Sequence, residues 1–70
     1  MKKIKSKIIT LNGSTEGDMC SFENNFKFED LITWVYRNCP SNLYIKVQDK
    51  EVSAIYEDRV EIYTLVKAKK

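Results

Sequence analysis

The chain reads as an α+β domain: a single helix packed on one face of a mostly antiparallel sheet of four or five strands, in the order β-(β)-α-β-β-β. Three observations predict this. Residues 28–39 carry an apolar stripe of helical period that stops at Pro40. Residues 43–66 alternate apolar and polar types with the period of a strand, interrupted at two turn-like points. Residues 2–11 are rich in β-branched types. One amphipathic helix over one sheet face buries both apolar surfaces at once. A β-grasp-like arrangement, with the first strand beside the last, is the favoured topology, and a small barrel is the alternative.

Along residues 2–11, Ile4, Ser6, Ile8 and Thr10 share one face, and Lys5, Lys7, Ile9 and Leu11 the other. Asn12-Gly13 signals a turn, because both residues tolerate the positive φ of tight hairpins. Ser14 to Asp18 prolongs it, so that residues 12–27 read mainly as a loop, with Met19 to Phe22 returning as a short second strand. The helix is expected over Phe28–Asn38. Phe28, Leu31, Ile32, Val35 and Cys39 form its stripe, and Glu29, Asp30 and Arg37 suit the helix dipole.

Beyond Pro40, Leu43, Ile45 and Val47 alternate with Tyr44, Lys46 and Gln48. A two-residue turn at Asp49-Lys50 sets Val47 opposite Val52, Ile45 opposite Ala54 and Leu43 opposite Tyr56, all facing the core. For the next connection, a two-residue turn at Glu57-Asp58 puts Glu61 in the core. A three-residue connection, Glu57-Asp58-Arg59, instead turns Val60, Ile62, Thr64 and Val66 inward. The second is preferred, since a buried unpaired carboxylate costs several kcal/mol. The expected core therefore includes Leu31, Val35, Ile45, Val47 and Ile62.

Seventy residues make one domain, and two Gly and one Pro leave no room for a low-complexity stretch. The lysine-rich start leads into an apolar run of about four residues, too short for a secretory signal. No apolar stretch approaches the ~20 residues of a membrane span. A cytoplasmic location is expected. Lys2, Lys3, Lys5 and Lys7 lie near one end and Lys67, Lys69 and Lys70 near the other, leaving a net acidic body between them. Such basic ends would serve nucleic acid only if they met on one edge.

Cys20 and Cys39 are the only cysteines, and histidine is absent. Two thiols cannot supply the four ligands of a structural zinc site, so both are expected to be reduced and no metal or cofactor is expected. Gly13 to Gly17 lacks the Gly-Lys-Ser/Thr ending of a phosphate-binding loop. Glu16 with Asp18, and Glu57 with Asp58, fall short of a calcium loop's ligand count. No nucleophile stands beside a base, and an enzyme is not expected.

Two features exceed this background. Trp34 points about 120° from the apolar stripe, toward the side of Asp30 and Arg37, where either the 12–27 loop covers it or a partner does. The sheet face opposite the helix is assigned Tyr44, Lys46, Ser53, Ile55, Tyr63 and Leu65, an apolar and aromatic set that invites contact. The expected partner-binding residues are therefore Trp34, Tyr44, Lys46, Ile55, Tyr63 and Leu65. The leading expectation is a small non-enzymatic protein-binding module, an inhibitor or adaptor that occupies a partner's surface. The abundance of Asn, Ile and Lys hints at an AT-rich genome and a phage or other mobile element. The alternatives are a single-stranded nucleic-acid binder, with Tyr44, Tyr63, Lys46 and Lys67 on one face, and a homodimer through that face.

Overall fold

The computed structural model describes residues 1–67. In chain order the elements are β1 (Lys2–Thr10), β2 (Gly13–Phe22), α1 (Phe28–Asn38), β3 (Tyr44–Gln48), β4 (Glu51–Ile55) and β5 (Val60–Lys67). The five strands form one open sheet in the order β2-β1-β5-β4-β3, and every neighbouring pair is antiparallel. The first strand lies beside the last and runs antiparallel to it.

The helix keeps the boundaries expected of it. The Lys27 backbone N–H donates to the Asp30 carboxylate at 2.7 Å, satisfying a donor at the helix start. At the other end the Cys39 N–H reaches the Val35 carbonyl at 2.9 Å, after which Cys39 leaves helical geometry and Pro40 prevents continuation. Leu31, Val35 and Cys39 are buried against Ile4, Val52, Ala54 and Tyr63. Each large aliphatic in this cluster contributes about 2 kcal/mol of apolar burial. The helix rests over β4 and β5, so one sheet face is covered and the other is bare.

The β3–β4 hairpin follows the expected register, with Val47 opposite Val52 and Ile45 opposite Ala54. Asp49 and Lys50 both adopt positive φ, 49° and 66°, the geometry of a two-residue turn that matches strand twist. Yet β3 is an edge strand beyond the helix's reach. Leu43 and Val47 are consequently exposed rather than core, and Ile45 is half-buried.

Two further expectations are corrected. The segment after the first turn is not mainly a loop: β2 spans ten residues, the expected Met19 to Phe22 among them, and pairs along β1. The turn itself falls at Leu11-Asn12, with Thr10 opposite Gly13. Gly13 follows the turn at φ +132°, a conformation L residues rarely adopt. The Thr10 hydroxyl secures the corner, accepting from the Asn12 N–H and donating to the Gly13 carbonyl, each at 3.2 Å. Almost all of β2 is exposed, and a strand wetted on both faces carries no alternation to betray it.

The second correction concerns β5. Tyr56 donates its N–H to the Arg59 carbonyl at 2.9 Å, so that Glu57-Asp58 is the turn, and Glu61 stands opposite Ala54. Glu61 and Tyr63 therefore face the helix and are buried, with Leu65 packed against the core. Val60, Ile62, Thr64 and Val66 occupy the bare face instead, with Ile62 half-buried there rather than in the core. The penalty that disfavoured this register does not arise, because the carboxylate is fully partnered.

Candidate functional site

The partners of Glu61 come from its own strand, from the connection just before it and from the end of the helix. Tyr63, two residues on and on the same face, donates its hydroxyl to Oε1 at 2.6 Å. Arg59, two residues before, donates Nε to Oε2 at 2.5 Å. The Cys39 thiol lies 3.9 Å from Oε1 and 3.8 Å from the Tyr63 hydroxyl, so its single hydrogen can serve either. Arg59 also stacks over the Tyr56 ring at 3.9 Å and pairs with Asp58 at 2.9 Å. Burial alone would raise the Glu61 pKa, but the hydrogen bonds from Tyr63 and Arg59 and the guanidinium charge outweigh it, so the pKa is lowered. Burial, followed by a hydrogen bond to the Cys39 thiol, pushes Tyr56 up to about 12. Burial and the Glu61 hydrogen bond also raise Tyr63. Among the described residues no buried side-chain polar atom lacks a partner. This cluster is closed over by the helix and serves packing.

The bare face is different. Because Val52 and Ala54 lie under the helix, Glu51, Ser53 and Ile55 point to the opposite side. Register then lays out the face in rows. Ile9, Val60, Ile55 and Tyr44 are successive cross-strand neighbours over β1, β5, β4 and β3. The next row runs Glu16, Lys7, Ile62, Ser53, Lys46, and the one after it Asp18, Lys5, Thr64, Glu51, Gln48. An unbroken apolar row thus crosses four strands, with Ile62 beside it. Tyr44 and Ile9 are 58% and 39% exposed, which leaves the row accessible at both ends. Lys3 pairs with Asp18 at 3.0 Å and Lys5 with Glu16 at 3.6 Å across the β1–β2 edge.

Of the residues expected to bind a partner, Tyr44, Lys46 and Ile55 come together here: Tyr44 is Ile55's direct cross-strand partner. Tyr63 and Leu65 are on the wrong side, beneath the helix, as the β5 register requires. Trp34 is also on the helix side, half-buried, edge-on to Tyr63 at a centroid distance of 5.5 Å. It is Tyr63 that Trp34 packs against. The other side of Trp34 lines a shallow groove with Phe26, Asp30, Thr33 and Arg37. Sequence reasoning missed Ile9, Val60 and Ile62, whose assignment to the bare face depends on the β5 register and on the β1–β5 pairing.

The basic ends do meet, since Lys2 and Lys67 are cross-strand partners; Lys69 and Lys70 lie outside the described residues. Cys20 is an exposed free thiol and Cys39 a buried one. Among the described residues no helix is long and apolar enough to cross a membrane, and no group of three or more potential metal ligands is found. Comparison with protein-family models, with curated proteins and with solved structures finds no match to this chain.

Proposed function

We propose that the chain is a small non-enzymatic protein-binding module, an inhibitor or adaptor that works by pressing its bare sheet face onto a protein surface. The observation carrying this reading is the row Ile9–Val60–Ile55–Tyr44, contiguous across four strands and uncovered by the helix. A contiguous apolar sheet face of this kind is the usual mark of a contact site. Absence of histidine and enclosure of the Cys39–Glu61 contact under the helix support a non-catalytic role. A nucleic-acid role is weaker than the sequence suggested: Tyr63 is buried away from the face, and Lys3 and Lys5 are matched by Asp18 and Glu16.

The test is site-specific photo-crosslinking in the native host. A photoreactive residue replacing Ile55 is expected to capture protein adducts on irradiation, whereas one replacing the exposed helix residue Thr33 gives none. Equal capture from both positions, or none from Ile55, would refute the reading.

A further inference from the structure

We infer that the protein partner fitting this face is a second copy of the chain, docked about a two-fold axis parallel to β5; the inference rests on the bare face being a protein-binding surface. The evidence is how the charges are distributed across the strands. Outward-facing side chains are acidic on β2 (Glu16, Asp18), basic on β1 (Lys3, Lys5, Lys7) and uncharged on β5 (Val60, Ile62, Thr64, Val66). Glu51 is the only outward charge on β4 and Lys46 the only one on β3.

A two-fold axis running along β5, midway between two facing sheets, lays each β1 over the partner copy's β4 and each β2 over its β3. Within the rows, Lys5 then meets Glu51 of the partner copy, and Glu16 meets its Lys46. Ile9 meets Ile55 of the partner copy, while Val60 and Ile62 sit on the axis against their own counterparts. Symmetry repeats every off-axis pair, giving four opposite-charge contacts around an apolar centre, the self-complementarity that an isologous interface demands. With the sheets' own twist each β5 tilts about 15° from the axis, so the two strands cross at about 30°, which the pattern tolerates near its centre. The other face-to-face two-fold, perpendicular to the strands, stacks the lysines of β1 on the lysines of β1. Electrostatics therefore selects the first operator. Strand spacing and rise make the face about 24 Å by 17 Å, so two copies bury about 800 Å² in total, the size of a weak, transient interface rather than a permanent one. A dimer of micromolar strength is the matching expectation.

Analytical ultracentrifugation of the full chain across a concentration series tests this, with circular dichroism confirming that each variant is folded. The wild type is expected to reach twice the chain mass. Glu51→Lys sets like charges together at two symmetry-related places and is expected to weaken dimerisation about tenfold or more. Adding Lys5→Glu to that variant restores the opposite pairing and most of the affinity. A wild type that stays monomeric at every concentration overturns the dimer, and so does a dimer that Glu51→Lys leaves intact or that the second substitution fails to restore. Photo-crosslinking separates this from failure of the broader reading. A monomer that still captures a protein from Ile55 at a mass other than twice the chain's loses only the second-copy inference. A monomer that captures nothing loses both.

Discussion

Replacing Val35 with aspartate unfolds the protein at 25 °C. Val35 has no exposed surface and sits mid-helix in the cluster with Leu31, Ile4 and Val52. A carboxylate there has no partner, and its cost of several kcal/mol, added to the lost valine packing, exceeds the net stability of about 5 kcal/mol expected for so short a chain. Far-UV circular dichroism should show an unfolded chain with no cooperative melt. Val35→Ala should stay folded and lose about 2 kcal/mol, since it removes volume without adding charge. An aspartate variant melting like the wild type would mean that the stripe does not face the sheet.

The second large effect is at Glu61. Glu61→Ala should cost about 3 kcal/mol, because the Tyr63 hydroxyl loses its acceptor in a buried site. Combining Glu61→Leu with Tyr63→Phe removes both partners and should lie much closer to the wild type; Arg59, partly exposed, can turn to solvent. Chemical denaturation of the three proteins checks this, and a double variant worse than Glu61→Ala would contradict it. The same network sets the pH limits. The Glu61 pKa is lowered from 4.5 in the folded state, so its contribution is complete above about pH 5 and is lost as pH falls through the lowered value. Tyr56, pushed up to about 12 from 10.0, and Tyr63, raised in the same direction, contribute fully below about pH 9. Their contribution is lost as pH rises through the folded values. Stability should therefore be level between these limits and fall on both sides, and in Glu61→Ala the acid limb should be shallower.

These two sites also mark what the sequence discloses. The helix was legible to its end residues because its stripe, its acidic first turn and Pro40 agree. The β3–β4 register was legible because a two-residue turn at Asp49-Lys50 leaves one pairing that keeps both apolar sets on one face. The facing of β5 was not, because Glu61 was judged as a lone carboxylate. Arg59 and Tyr63, two residues to either side and hence on its face of the strand, were the available sign that it would be partnered. That one reversal moved Tyr63 and Leu65 inward and brought Val60 and Ile62 out, so two of the six residues assigned to the bare face were misassigned while Tyr44, Lys46, Ser53 and Ile55 were placed correctly. Strand β2 was legible only in its last four residues, Met19 to Phe22, for a different reason: exposed along nearly its whole length, it is held by pairing with β1 and by Lys3–Asp18 and Lys5–Glu16, none of which needs a hydrophobic pattern.

The claim that the bare sheet face is the working surface is tested most directly by methyl NMR of protein labelled at Ile, Leu and Val, recorded with increasing protein concentration and with added extract of the native host. Shifts or broadening confined to Ile9, Ile55, Val60 and Ile62, with Leu31, Val35 and Val52 unmoved, are the predicted result. Changes centred instead on Ile32 and the helix side by Trp34, or no selective change in either titration, would contradict it.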